Sequence, residues 1–262
     1  MSAPQPPASL PSHVALLLAE LPMDRPTTIL DVGANPIHNP HYKALLEGGG
    51  CNVIGFEPQE EAFAELQRRA GPRETYYPHA VGDGGVHDLH IHELSGFTSL
   101  FPPHLPSTRV HGSPRWTKVK RIVPIQTVAL DALPDLGPVD LLAIDIQGGE
   151  KLVIDNARQT LSEAVAVIVE LRCMQLYDGE PMAGGVDESL RAQGFMLHKF
   201  QTDQLIPLPN SQSARLNPRR TADQLWEVDA IYLRHLGRID AYSDAQLMHL
   251  ALLAASVFSS HS

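Results

Sequence analysis

Acidic side chains stand at the ends of apolar runs, where a β-strand would deliver its last residues to one edge of a sheet: Asp31, Glu57, Asp145 and Glu170. Asp31 opens the turn Asp31-Val32-Gly33-Ala34-Asn35. Its carboxylate can accept from an amine, and Gly33 lets the chain bend sharply and come close to a ligand with no Cβ in the way. A plain strand-to-helix turn that needs a small residue is the simpler alternative. Glu57, in Phe56-Glu57-Pro58, follows Gly33 by 24 positions. An acid at the end of a second strand can accept from both hydroxyls of a ribose, although a solvated strand-end glutamate reads the same way. Together the glycine turn and the acid point to a nucleoside-containing cofactor.

The continuation of the first turn, Pro36-Ile37-His38, lacks the later glycines that bring a pyrophosphate onto a helix. Neither a Gly-x-x-x-x-Gly-Lys loop nor a Tyr-x-x-x-Lys pair is present, so a cofactor without phosphates is favoured. In His79-Ala80-Val81-Gly82-Asp83, Val81 and Asp83 are placed to meet an adenine edge, with an ordinary turn as the alternative. Ala143-Ile144-Asp145-Ile146-Gln147-Gly148-Gly149-Glu150 projects Asp145 toward the same crevice, at the carboxyl edge where open α/β sheets bind ligands.

A sheet must hold these residues. Apolar runs at 27–32 and 52–56 read as strands. Between them, 40–47 reads as a helix, with Asn39 as N-cap and Pro40 at the first helical position. Residues 59–70 form a second helical pattern with Ala62, Phe63 and Leu66 on one face. Strand 139–146, helix 150–160 and strand 165–171 repeat the grammar, and near-continuous apolar strands belong to parallel sheets covered on both faces. The prediction is an α/β fold with a doubly wound, mostly parallel sheet. Alternating pieces at 86–94 and 119–128 predict a hairpin around a Pro- and His-rich stretch, 97–114. A final antiparallel hairpin pairs 195–200 with 226–233 across a long polar connection, 201–225, of the kind that serves as a lid or binding loop.

The 262 residues are 43% hydrophobic and 19% charged, enough apolar surface for one core and no signature of disorder. A net charge of −10 repels phosphate backbones and disfavours DNA or RNA as a partner. Cys51 and Cys173 are too few for a disulfide framework and fit a reducing cytoplasm. Residues 1–11 have neither a basic start nor a long apolar region, so they read as a loose lead-in to a short helix at 13–21. The apolar run 247–258 is too short to cross a bilayer core of about 30 Å.

The five blocks Asp31 to Asn35, Phe56 to Pro58, Ala80 to Asp83, Ile144 to Glu150 and Val169-Glu170, in that order, resemble the FkbM-type methyltransferases, a branch of the class I S-adenosylmethionine enzymes. The closing Val228-Asp229-Ala230-Ile231-Tyr232 resembles the family's last strand. The resemblance covers about residues 27–233 and implies a Rossmann-like fold with S-adenosylmethionine as cofactor. It implies an enzyme that methylates a hydroxyl of a sugar or other small metabolite. Asp31, Gly33, Ala34, Asn35, Glu57, Val81, Asp83 and Asp145 are then the cofactor-binding candidates. The chain departs from the pattern at Pro36 and His38, at Ala143 where a Lys is usual, and at Gln147 where a Glu is usual.

A hydroxyl acceptor has a high pKa and benefits from a positioned base. Asp145 and Glu170 end neighbouring strands, so both can face the acceptor as catalytic residues, and two acids close together push one pKa upward. A capped strand end for Asp145 and an ion pair of Glu170 with Arg172 are the structural alternatives. His90 and His92 could form a metal pair, but a solvated hairpin face is the plainer reading, and no metal site is assigned. His198 is a further candidate base, read more simply as a surface strand residue. The altered block around Gln147 keeps a cofactor-binding module without catalysis in view, and a nicotinamide-dependent oxidoreductase is disfavoured by the missing glycines.

The expected organisation is a lead-in and short helix at 1–24, a methyltransferase domain at 25–235 with an insertion around 84–130, and a C-terminal helix at 236–262. In the last segment Ser243 can cap a helix whose Leu247, Leu250, Ala251, Ala254, Val257 and Phe258 form one stripe. Pairing of two such helices in a homodimer is the preferred explanation, with packing onto the chain's own sheet or first helix as the alternative.

Overall fold

The computed structural model describes residues 12–36, 39–107, 110 and 115–261. Most of the lead-in lies outside the described residues. Strands β1 (Thr27–Val32), β2 (Cys51–Phe56), β3 (Glu74–Tyr77), β7 (Leu141–Ile144), β8 (Ala166–Arg172), β9 (Phe195–Ile206) and β10 (Gln224–Arg234) form a seven-stranded sheet in the order β3-β2-β1-β7-β8-β10-β9. The first five strands in this order are parallel; β10 is antiparallel to both its neighbours. The sheet is Rossmann-like with a closing antiparallel hairpin, as the patterning requires. A second sheet, β4 (Ala80–Val81), β6 (Val119–Val128) and β5 (Val86–His92), lies in the 80–128 region, with β5 and β6 antiparallel.

Every residue of β8 is buried, which is why its sequence is apolar without alternation. One face of the large sheet packs Leu30, Leu142, Val167 and Tyr232 against Val153 and Ile154 of α4 (Glu150–Asp155) and Val186 and Leu190 of α5 (Ala183–Ala192). The other packs Ile29, Leu141, Ile168 and Ile231 against Val14 of α1 (Ser12–Glu20), Leu45 of α2 (Lys43–Glu47) and the C-terminal helix α6 (Asp244–Ser256). A further helix, α3 (Glu60–Arg69), buries Leu66.

Several boundaries differ from the sequence reading. α2 begins at Lys43, because Pro40 spends its carbonyl on a turn to the Lys43 amide and the Asn39 side chain accepts from Lys43 Nζ (2.8 Å) instead of capping. α4 stops at Asp155, where Asn156 Nδ2 donates to the Leu152 carbonyl at 2.9 Å. The closing hairpin is longer than expected. β9 continues to Ile206 through exposed polar residues held by main-chain pairing, so the connection shrinks to 207–223.

α6 has the expected cap: Ser243 Oγ accepts from the Gln246 amide and Gln246 Oε1 from the Ser243 amide. Its buried face differs from the expected stripe. His249, Leu252 and Leu253 are buried, Val257 and Phe258 follow, and Ala251 is exposed. Leu252, Leu253, Val257 and Phe258 join the chain's own core beside Val14 and Ile29, the alternative packing, while Leu247, Leu250 and Ala254 of the expected stripe are only partly buried.

Candidate active site

At the carboxyl edge of β1 the chain turns through Gly33, at φ +88°, and the amides of Gly33 and Ala34 donate to the Phe56 carbonyl at 3.0 and 3.1 Å. A Cβ on Gly33 would lie 2.0 Å from the Asp145 carbonyl, so this turn admits only glycine. The turn forms one wall of a cavity of about 1320 Å³, lined also by Asp31, Ala34, Asn35, Glu57, Val81 and Asp145.

Asp31 accepts from the hydroxyl of buried Tyr42, and desolvation lifts its carboxyl to about 6 against that hydrogen bond, with Asp145 adding repulsion. Glu57 is 3% exposed; Oε1 accepts from the Gln59 amide at 2.7 Å, and burial raises the carboxyl to about 7. Asp83 goes elsewhere. It is exposed and accepts from the Gly85 amide and His87, both at 2.8 Å, in the turn between β4 and β5, and it does not line the cavity.

Next to the Gly33 turn, carboxylate oxygens of Asp145, Glu150 and Glu170 lie within 4.8 Å of one another. Glu150 holds the loop before α4: Oε1 accepts from the Ile146 amide at 3.0 Å and the Gly148 amide at 3.1 Å. Burial raises it to about 7. Glu170, also buried, accepts from Arg172 at 2.8 Å and from Gln147 Nε2 at 3.0 Å. Burial, then Asp145, pushes its carboxyl well above the ordinary range. The Arg172 pairing foreseen as the structural alternative therefore exists, while Glu170 also lines the cavity.

Beyond β8 the antiparallel register carries polar residues across the sheet in rows: Glu170 opposite Asp229 opposite Thr202, and Arg172 opposite Glu227 opposite Gln204. Residues opposed in this way share a face. Below them the same face is apolar, through Ile168 and Ile231. His41 reaches Asp229 at 3.5 Å, and Phe97 stacks on Trp226 at 6.4 Å to border the cavity.

The Methyltransferase FkbM domain model matches residues 31–197, more than half of the chain. The chain belongs to the FkbM methyltransferase family. A curated relative, the 2-O-methyltransferase NoeI of Sinorhizobium fredii (strain NBRC 101917 / NGR234), is 25% identical over 167 residues. That match covers 58% of this chain and 66% of the relative. Among solved structures, the magnesium protoporphyrin IX methyltransferase ChlM of Synechocystis PCC 6803, with bound SAM, aligns at TM-score 0.42 and 13% identity, covering 85% of this chain and 76% of that one. An O-methyltransferase family 2 protein from Planctomyces limnophilus DSM 3776 aligns at 0.39 and 11%, covering 79% and 49%.

As a family member the chain is a methyltransferase with S-adenosylmethionine as its cofactor. The cavity suits such a ligand on its own chemistry: the Gly33 turn leaves main chain accessible, and Asp31, Glu57, Asp145 and Glu170 offer carboxylates to a cationic nucleoside. Of the sequence candidates, the structure brings together Asp31, Gly33, Ala34, Asn35, Glu57, Val81, Asp145 and Glu170, and leaves out Asp83. His198 bonds Ser260 at 2.9 Å and does not line the cavity. His90 and His92 do not form a solvated face: both are buried, and His92 Nδ1 pairs with the Trp116 carbonyl. Among the described residues the one group of three or more side chains at metal-ligand spacing is Asp145, Glu150 and Glu170.

Sequence reasoning missed Tyr42 beneath Asp31 and the sharing of Arg172 among Glu170, Glu180 and Glu227. The alternation Glu227-x-Asp229 in the last strand was the available signal for a polar face there.

Proposed function

We propose that this methyltransferase transfers the methyl group of S-adenosylmethionine to a hydroxyl of a sugar or other small metabolite. Asp31, Gly33, Ala34, Asn35, Glu57, Val81 and Asp145 hold the cofactor, which supplies an electrophilic methyl carbon. Asp145 and Glu170 are the catalytic carboxylates. The observation that carries this reading is Glu170: a carboxyl in the crevice with Asp145 beside it and Arg172 bonded to it, desolvated and pushed above the ordinary carboxylate range, as groups that move protons in catalysis are. Glu170 takes the hydroxyl proton as the oxygen attacks in line, and Arg172 restrains its orientation. The polar rows of β9 and β10, with Trp226, suit a hydroxylated acceptor, and the relative NoeI supports oxygen as the atom methylated. Net charge of −10 and an acidic crevice disfavour a nucleic acid. Methyl-labelled S-adenosylmethionine offered with a panel of neutral sugars, phenols, amines and thiols tests the reading. Label in an alkali-stable methyl ether supports it. Transfer only to nitrogen or sulfur, or cofactor binding with no transfer to any acceptor, overturns it, the last in favour of a binding module.

A further inference from the structure

Gln147 is a residue other than glycine held at φ +58°, in the left-handed region that L side chains rarely adopt. Its main chain is fixed by neighbours and not by its own side chain. Ser99 Oγ donates to the Gln147 carbonyl at 2.6 Å, and Glu150 grips the amides of Ile146 and Gly148 on either side. The side chain is free to serve the crevice, and each end of it is used. Nε2 donates to Asp145 Oδ1 at 2.9 Å and to Glu170 Oε2 at 3.0 Å; Oε1 accepts from Tyr177 at 3.0 Å and Arg172 at 3.2 Å. The flipped amide would face its carbonyl toward two carboxylates and its N–H groups toward the Arg172 guanidinium, which only donates, so the orientation is fixed.

We infer that Gln147 is a positioning residue whose carboxamide clamps Asp145 and Glu170 side by side and turned toward the cofactor's positive charge. Without that shared donor the two acids repel more strongly, and one swings away or holds its proton more tightly. The other charged or titratable groups around the pair are Asp31 from β1, Glu150 from α4, Arg172 from β8, Tyr177 and Glu180 from the segment after β8, and Asp229 from β10. Arg172 cannot take over the task, because it already serves Glu170, Glu180 and Glu227.

The inference rests on the placement of S-adenosylmethionine in this crevice, not on the acceptor. Its test is the affinity of the full chain for S-adenosylmethionine and for S-adenosylhomocysteine, which lacks the sulfonium charge, measured by calorimetry from pH 5.5 to 7.5. Gln147→Asn keeps a residue that tolerates the left-handed region but is too short to reach both acids. The expected result is a roughly tenfold weaker affinity for S-adenosylmethionine at pH 7.5, with a much smaller loss for S-adenosylhomocysteine. The pH at which half the affinity is lost should move up by about one unit, because carboxylates deprived of a donor protonate more easily. Equal losses for the two ligands, or a pH curve that overlays the wild type, would overturn the clamp. Gln147→Gly, which also suits the backbone, is the second variant; if neither folds, the side chain is structural and the inference fails. A wild-type chain that binds neither ligand sinks the cofactor placement itself, a result distinct from failure of the clamp.

Discussion

Glu57 and Asp145 illustrate what a single side chain contributes to this crevice. Glu57→Ala is expected to weaken S-adenosylmethionine binding by roughly 1.5–3 kcal/mol, the worth of a hydrogen bond to a charged group, and unchanged affinity in calorimetry would remove Glu57 from the site. Asp145→Asn is expected to lower turnover far more than thermal stability, since Asp145 is exposed at a strand end and packs no core. A collapsed melting temperature with normal turnover of the folded fraction would make it structural. The strand-end acids were legible because each interrupts or ends an apolar run, a local signal. Asp83 lies outside the cavity for an equally local reason: in Asp83-Gly84-Gly85 its side chain satisfies the amide two residues on. The Tyr42–Asp31 contact and the division of Arg172 among three acids depend on tertiary packing and strand register, which no short window of sequence reveals.

Among the elements, a mostly parallel sheet with a closing antiparallel hairpin followed from the alternation of strand and helix patterns, while boundaries failed wherever main-chain pairing outweighed side-chain polarity, as in the exposed end of β9. In α6 the capping box was readable, but the buried face was not, because an almost wholly apolar helix offers several equivalent stripes. Ser243→Ala is expected to cost about 1 kcal/mol in thermal unfolding, the usual worth of an N-cap. Truncation before Ser243 removes Leu252, Leu253 and Phe258 from the core and should destabilise the chain severely. Sedimentation of the intact chain is expected to show a monomer. A dimer that persists after Leu250→Asp at the partly covered edge of the helix would place any pairing elsewhere.

Across the whole molecule the raised carboxyls make stability depend on pH in an unusual direction. Glu57 and Glu150, raised to about 7, and Glu170, raised well above the ordinary carboxyl range, bind protons in the folded chain that the unfolded chain has released. A group raised in this way stabilises below its unfolded value and loses that contribution as pH climbs through its folded value. Buried His92 and His249 and half-buried His198, lowered by desolvation, act oppositely but only up to their unfolded value of about 6.5. Carboxylates held low, such as Asp83 beside His87, are ionised in both states throughout this range. Between pH 6.5 and 8 the ligand-free melting temperature should therefore fall by a few degrees, and S-adenosylmethionine should stabilise more at the upper end. A flat or rising profile would contradict the assignment of these acids.

The position of β10 between β8 and β9 has a consequence in time. β9 leaves the ribosome first, yet the strand it must pair with is made after it, so an emerging chain holds two open edges, on β8 and on β9, until about residue 234. The last strand closes both at once and brings Glu227 and Asp229 to the crevice in the same event. A chain cut off after β9 would hence lack the far wall of its site and carry exposed strand edges as well. Catalytic competence and protection from aggregation are completed by the same eleven residues, Gln224–Arg234, late in synthesis.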